Sequence, residues 1–248
     1  MIEARNLSMT FGENQVLDDV SFVFEVGKTN LIIGQSGSGK TVLMKSLVGL
    51  LEPDEGEVIY DGRNFCMMGI YERRKLQQEI GMLFQGGALF DSLSVEQNVM
   101  FPLNMFTKMS LAEKTARVNF CLERVNLAGR NKLMPSELSG GMIKRVAIAR
   151  AISLNPKYLF CDEPNSGLDP ITSGVIDALI KEITEEFNIT TVVNTHDMNS
   201  VLMTGEKIAF IHQGKIWWSG TRHEILHTDN EVLNDFIFAT ELTRRLKR

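Results

Sequence analysis

At 248 residues, with 44% hydrophobic and 23% charged side chains, the chain is long enough to bury a large core and has the balance of a globular protein rather than a disordered or fibrous one. A formal net charge of −5 argues against a general affinity for nucleic acid, which shows as a basic excess. The three cysteines, Cys66, Cys121 and Cys161, are scattered among apolar neighbours without metal-ligand spacing, as reduced core thiols of a cytosolic protein would be. No apolar run approaches the ~20 residues that cross a bilayer, and no basic segment leads into an apolar one at the N-terminus. Work at a membrane is therefore expected to go through a partner.

Along the chain, Val20, Phe22, Phe24 and Val26 alternate with polar residues at the period of a half-buried strand, and Leu31-Ile32-Ile33 is a short, fully apolar strand. The segment Gly34-Gln35-Ser36-Gly37-Ser38-Gly39-Lys40-Thr41 follows at once. Val42, Leu43, Ser46, Leu47, Leu50 and Leu51 then recur at helical spacing, so this glycine-rich loop joins a strand to a helix. Asp61-Gly62 is a tight-turn signal after a strand over 57–60. A strand-like Gly81-Met82-Leu83-Phe84 ends at Gln85.

From about 86 to 156 the period becomes helical. Leu111, Val118, Cys121, Leu122 and Val125 form one stripe, and Ile143, Val146, Ala147 and Arg150 lie on a helix that begins near Ser139. This stretch reads as a helical lobe inserted into an α/β core. Strand signals resume at 158–161, at 191–194, and at 208–211 and 216–218 on either side of Gln213-Gly214. Between the first two of these, Asp169 as N-cap and Pro170 at the first helical position start a helix whose Val175, Ile176, Leu179, Ile180 and Ile183 face inward.

The glycines of the loop let the backbone curl so that its amides point inward at phosphate oxygens, with the positive end of the following helix behind them. In such a loop Lys40 reaches the β- and γ-phosphates, and the Thr41 hydroxyl ligates Mg²⁺. Asp162 and Glu163 end an apolar strand. In that position Asp162 would hold Mg²⁺ through water, and Glu163 would polarise the attacking water as general base. Alone, an acidic pair after a strand is as compatible with a solvated turn. Together with a phosphate loop the chemical reading prevails.

Between these two sites lies Leu138-Ser139-Gly140-Gly141-Met142, followed by Lys144-Arg145. A phosphate loop, then Ser-Gly-Gly at a helix start, then a strand ending in Asp-Glu resembles the nucleotide-binding domain of ATP-binding cassette (ABC) proteins, from about residue 2 to about residue 225. The resemblance implies an α/β fold, with a RecA-like P-loop core, an antiparallel β subdomain and an inserted helical lobe. The ABC ATPase domain would occupy 1–225, with its helical lobe at about 86–156 and a C-terminal helical tail at 226–248. The resemblance also implies roles. ATP would be bound by Gly34, Gln35, Ser36, Gly37, Ser38, Gly39, Lys40, Thr41 and Val42. Gln85 would contact Mg²⁺ or the attacking water and move with the helical lobe, and His196 would hydrogen-bond the γ-phosphate. The register of His196 after Ser166-Gly167-Leu168-Asp169, which resembles the family's D-loop, supports that role for a residue type that is more often structural. Phe11 would stack on adenine where the family commonly has tyrosine; a core phenylalanine at a strand end is the competing account. Ser139, Gly140 and Gly141 would meet the γ-phosphate of ATP held by a second subunit, so hydrolysis would require a homodimer or a pair with a similar chain. Met142 departs from the commoner glutamine beyond those contacts.

Three further runs narrow the resemblance: 133–142, Leu83 to Phe90, and 169–175. They look like the ATPase subunits of Mla-type (MCE) phospholipid transport systems, the MlaF-like group. Such a subunit is expected on the cytoplasmic side of the bacterial inner membrane, bound to an integral MlaE-like permease and through it to an MlaD-like lipid-binding MCE protein. Whether an MlaB-like accessory subunit also binds is open. Val99, Met100, Phe101, Leu103, Met105 and Phe106, beside Pro102, fall where the family receives its permease, and about half are expected to be core instead. Arg244, Arg245, Lys247 and Arg248 form a basic tail that suits a solvated end or a place near anionic lipid. Alternatives are an ATPase for another transported substrate or a non-transport ABC ATPase. The interval from Gln85 to Ser139 has no room for the long coiled coil of the DNA-repair type. One motif set argues against the translation type, and intact Lys40, Glu163 and His196 argue against a module that binds nucleotide without hydrolysis.

Overall fold

The computed structural model of the protein describes residues 1–238, and the basic run at 244–248 lies outside them. In chain order, strands β1 (Ile2–Phe11), β2 (Asn14–Phe24) and β3 (Thr29–Ile33) lead into helix α1 (Lys40–Leu47), then β4 (Glu55–Tyr60) and β5 (Arg63–Asn64). Helix α2 (Ile70–Gln78), strand β6 (Ile80–Leu83), helices α3 (Val95–Phe106), α4 (Leu111–Arg124) and α5 (Gly140–Ala151), strand β7 (Tyr158–Asp162) and helix α6 (Pro170–Phe187) follow. The chain closes through β8 (Thr190–Asn194), α7 (Met198–Thr204), β9 (Lys207–His212), β10 (Lys215–Gly220) and α8 (Glu231–Ile237). Two compact units result, one from residues 1–69 together with 190–238, the other from Ile70 to Ile189.

The first unit holds an antiparallel sheet in the order β2-β1-β4-β5, whose alternating side chains bury Val20, Phe22 and Phe24 on one face. It also holds the run β10-β9-β3-β8, in which β3 is parallel to both β8 and β9, while β10 pairs antiparallel with β9. Every residue of β3 and β8 is buried, as expected of central parallel strands covered on both faces. Among the polar residues they bury, Asn30 is satisfied internally. Asn30, at 0% exposure, accepts from the Glu25 amide at 2.8 Å and donates to the carbonyls of Glu25, Lys28 and Thr191 at 3.0 Å each. One side chain thus pins the β2–β3 connection to β8.

The second unit packs α3, α4 and α5 against one another, sets α5 on β6, and pairs β6 with β7 in parallel. Ser94 and Ser110 open α3 and α4 with reciprocal capping boxes to Gln97 and Glu113. Asp169 caps α6 by accepting from the Ile171 and Thr172 amides at 3.0 Å, with Pro170 at the first helical position as the sequence predicts. Buried Asn98 holds the loop before α3, accepting from the Phe90 amide and donating to the carbonyls of Phe90, Leu93 and Ser94.

Four residues expected inward are exposed: Val26, Leu50, Leu111 and Val175. Val26 and Leu50 lie beyond the ends of β2 and α1, where the period no longer has a backbone to follow. Leu111 opens α4 and Val175 sits on the second turn of α6, on faces that nothing covers among the described residues of this unit. Of the apolar run on α3, Val99, Met100 and Leu103 are core, whereas Met105 and Phe106 are exposed at 60% and 50%. Cys121 and Cys161 are buried free thiols, Cys66 is half-buried, and burial pushes Cys121 up to about 11. Among the described residues no helix is long and apolar enough to cross a membrane.

Replacing Asn30 with alanine removes four hydrogen bonds, the one to the Thr191 carbonyl buried and the other three half-buried, each with a net worth of ~0.5–1.5 kcal/mol. Asn30→Ala is therefore expected to lower unfolding stability by about 3 kcal/mol in chemical denaturation, and a change below about 1 kcal/mol would contradict the pinning role.

Candidate functional site

In the first unit the glycine-rich loop leaves the C-terminal end of β3 and enters α1, the strand–loop–helix context the sequence predicts. Gly39 is the N-cap of α1 at φ 107°, and a Cβ there would approach the Val16 carbonyl oxygen to 2.7 Å. Left-handed backbone and close approach together admit only glycine. Two further bonds seat the loop: the Gly214 amide donates to the Ser38 carbonyl at 3.2 Å, and the Asp18 amide donates to the Gly214 carbonyl at 3.0 Å. The loop is thereby clamped between β2 and the turn joining β9 to β10.

Lys40 is buried, and its ammonium donates to the carbonyls of Gly34 and Gln35 at 2.9 Å. A lysine folded across its own loop is poised at the centre of the curl, where a phosphate's negative charge would be received. Ser38 is buried too, and its Oγ has no hydrogen-bond partner among the described residues. An orphaned buried hydroxyl costs free energy, so its presence in this loop fits a phosphate oxygen as the missing partner. Gln35, Ser36 and Gly37 are exposed at the loop's rim, and Val42 is half-buried on α1.

Thr41 is the second residue of α1, and its Oγ1 accepts from Asn194 Nδ2 at 3.4 Å. Asn194 ends β8, whose backbone continues with the Thr195 amide donating to the Ile32 carbonyl at 3.1 Å. His196, one residue on, is exposed and emerges at the same strand edge as the loop, because β3 and β8 run parallel in register. Asp197 then caps α7 through the Asn199 amide at 2.9 Å. Phe11 ends β1 opposite Asn14 and is 46% exposed, so it is not a core ring. Its open face is available for stacking.

In the second unit the parallel register Leu83↔Cys161 places Gln85, Asp162 and Glu163 at one edge, each one or two residues beyond the paired positions. Glu163 is held at φ 48°, a left-handed conformation that costs a non-glycine residue roughly 1–3 kcal/mol and concentrates at functional sites. The turn behind it is tied down by the Ser166 amide donating to the Glu163 carbonyl at 3.1 Å and by Asn165 Nδ2 donating to buried Asp177 at 2.8 Å. The Gln85 amide group donates to Ser166 Oγ at 3.2 Å. Lys144, buried on α5, donates to the Gln85 carbonyl and lies close enough to feel Cys161, Glu163 and Asp162. Burial holds its ammonium below the usual lysine range despite the two nearby carboxylates.

Ser139 is the N-cap of α5, accepting from the Met142 amide at 3.3 Å, and both it and Gly140 are exposed. Gly141 is buried beneath them, and a Cβ on it would meet Thr172 Cγ2 at 2.6 Å, so the start of α5 rests directly on the start of α6. The sequence motifs thus gather by unit: the phosphate loop, Thr41, His196 and Phe11 in one, and Gln85, Asp162, Glu163 and the Ser139–Gly141 helix start in the other. Sequence reasoning gave no role to Gly214, Asn194, Ser166 or Lys144. Only Ser166 and Lys144 stood beside a recognised motif; the others act through tertiary contacts.

The chain belongs to the ABC transporter family, whose profile matches residues 17–166. It is 40% identical over 96% of its length to the Intermembrane phospholipid transport system ATP-binding protein MlaF of Haemophilus influenzae, covering 90% of that protein. It is 35% identical over 95% of its length to the Probable ribonucleotide transport ATP-binding protein mkl of Mycobacterium leprae, covering 68% of it. Among solved structures, the dimeric post-hydrolysis state of the ATP-binding cassette MJ0796 bound to ADP and Pi matches with a TM-score of 0.81 at 32% identity, over 90% of this chain and 99% of that one. The fold is that of an ABC ATPase domain, and the chain is an MlaF-like ATPase.

Gly39→Ala places a side chain against the Val16 carbonyl at a φ that costs ~1–2 kcal/mol per residue. Nucleotide affinity measured by equilibrium titration is expected to fall about tenfold or more, with the far-ultraviolet spectrum unchanged. Unaltered affinity would show that the loop's curl is not what binds phosphate.

Proposed function

We propose that the protein is the ATP-hydrolysing subunit of an inner-membrane transporter that moves phospholipid between the inner and outer membranes. It works as a homodimer bound to the cytoplasmic side of an MlaE-like permease, and through that permease it serves an MlaD-like lipid-binding MCE protein. The observation that carries the reading is the similarity to MlaF across nearly the whole chain, joined to a phosphate loop with a buried, unpartnered Ser38 hydroxyl. In this reading the ABC ATPase domain occupies 1–225, with a helical lobe at about 86–156; of the helical tail expected at 226–248, residues 239–248 lie outside those described.

In this reading Gly34 to Val42 bind ATP and Phe11 stacks on its adenine. The Lys40 ammonium, already surrounded by loop carbonyls, exchanges one of them for phosphate oxygen. The Thr41 hydroxyl, Asp162 and the Gln85 side chain are the donors for Mg²⁺. So small a set of oxygens suits an ion that arrives on the nucleotide's phosphates and keeps several waters. Held by these residues, Mg²⁺ would supply neutralisation of phosphate charge. Glu163 accepts the proton of the attacking water, a role helped by a strained backbone that fixes where its carboxylate begins. His196 donates to the γ-phosphate. Ser139, Gly140 and Gly141 present a hydroxyl and helix N-terminal amides to ATP on the partner copy, and the exposure of Ser139 and Gly140 favours that use.

The exposed Met105 and Phe106 at the end of α3 suit the permease contact. The sequence similarity to mkl keeps a transporter for another solute as the second reading. Purifying the chain with its membrane complex separates the two. The phospholipid reading expects an MCE-type partner carrying phospholipid, and ATP hydrolysis that disappears with Lys40→Ala. A complex that lacks such a partner and binds a polar solute would retain the ATPase and reject the lipid.

Within that complex, Glu163→Gln is expected to keep ATP affinity while slowing turnover at least ~10²-fold, at the low end of general-base contributions. Hydrolysis near the wild-type rate would remove Glu163 from the base role.

A further inference from the structure

Two cations on one helix are committed to the backbone that follows Gln85. Lys144 donates to the carbonyl of Gln85 itself. Arg150, six residues further along α5, donates to the carbonyls of Gly87 at 2.8 Å and Ala88 at 2.7 Å. Three carbonyls within four consecutive residues are thus held by charged donors from a single helix, and charge-assisted bonds of this kind are about twice as strong as neutral ones. The loop also lies flush on the helix: a Cβ on Gly87 would stand 2.8 Å from the Ile143 side chain and 3.7 Å from that of Ala147.

The backbone in question is in an unfavourable conformation. Gly87 and Ala88 both have positive φ, at 76° and 48°, and for alanine that conformation persists only where surroundings impose it. Arg150 supplies the imposition, since its planar guanidinium reaches both carbonyls at once. At its other end, Gln85 places its side chain on Ser166 of the segment that follows Glu163. The helix that bears the two cations begins at Ser139.

We propose that Lys144 and Arg150 are positioning residues that fasten the Gln85–Ala88 loop to the helix begun by Ser139, so that Gln85 and the phosphate-contacting end of α5 are carried as one piece. This rests on the roles proposed above for Gln85 and Ser139. Neither cation touches nucleotide in this account; each acts through the loop it holds. A shift of the loop is passed to the start of α5, and a shift of α5 displaces Gln85.

A double-mutant cycle on the purified transporter complex tests the inference, with kcat and KM for ATP hydrolysis and nucleotide affinity measured for each variant. Lys144→Met is expected to lower kcat about tenfold or more while nucleotide affinity stays within about twofold. Lys144→Arg, which restores a charged donor, should recover most of the loss. Gln85→Ala should lower kcat about tenfold alone, yet cost less than about twofold when added to Lys144→Met, because the glutamine is already out of place. Arg150→Lys keeps the charge but cannot span two carbonyls. It should show the same non-additivity with Gln85→Ala, and it carries the test if Lys144→Met does not fold. Losses that multiply in both cycles, or wild-type kcat in Lys144→Met, would overturn the positioning role while leaving Gln85 its own. Wild-type turnover by Gln85→Ala would remove the reading of Gln85 and the inference with it.

Discussion

The phosphate loop is kept in shape by bonds to parts of the chain far from it in sequence. The Gly214 amide holds the Ser38 carbonyl, Gly214 is itself held by the Asp18 amide, and the carbonyl of Val16 lies where any side chain on Gly39 would have to go. A glycine-rich octapeptide free in solution would spend most of its time in other conformations, because glycine loses more freedom on ordering than any other residue. The antiparallel hairpin and the β9–β10 turn supply that order in advance. A Lys40 folded onto the loop's carbonyls and an unpartnered Ser38 hydroxyl accompany this clamp. Where the loop is preorganised, binding energy is not consumed in forming it.

The second unit meets a different constraint, which is to present carboxylates and a glutamine at the ends of two parallel strands while keeping their backbones fixed. Glu163 and Ala88 both occupy left-handed conformations that their side chains disfavour. Each is tied from behind: Glu163 by its bond to Ser166 and by the Asn165–Asp177 pair, Ala88 by Arg150. Lys144 stands between the two strand ends, bonded to one and electrostatically coupled to the other. Its burial would be expensive for an isolated ammonium, and the carbonyl and nearby carboxylates make it tolerable.

Much of this was readable from residues alone. Strand–loop–helix, the Asp169-Pro170 helix start, the Ser139 cap and the strand ending in Asp162-Glu163 all rest on local periodicity and capping chemistry, which operate within a few residues. Where the pattern misled, at Val26, Leu50, Leu111 and Val175, an apolar residue kept its period while the element had ended or had no neighbour to cover it. Phe11 shows the opposite limit. Its sequence position suited a stacking surface, with a core ring as the competing account, and its 46% exposure separates them. The clamp at Gly214, the Asn194–Thr41 bond and the grip of Arg150 on Gly87 and Ala88 join positions dozens of residues apart, and no local pattern could announce them.

The account turns on ATP being completed by the Ser139–Gly141 helix start of a second copy. The most direct measurement is sedimentation of the Ser139→Arg protein with ATP under non-hydrolysing conditions, alongside equilibrium nucleotide binding. The account predicts that the wild-type chain sediments as an ATP-dependent dimer, whereas Ser139→Arg stays monomeric and still binds ATP through its own Lys40 loop. A Ser139→Arg protein that remains strictly monomeric yet hydrolyses ATP at the wild-type rate would contradict it.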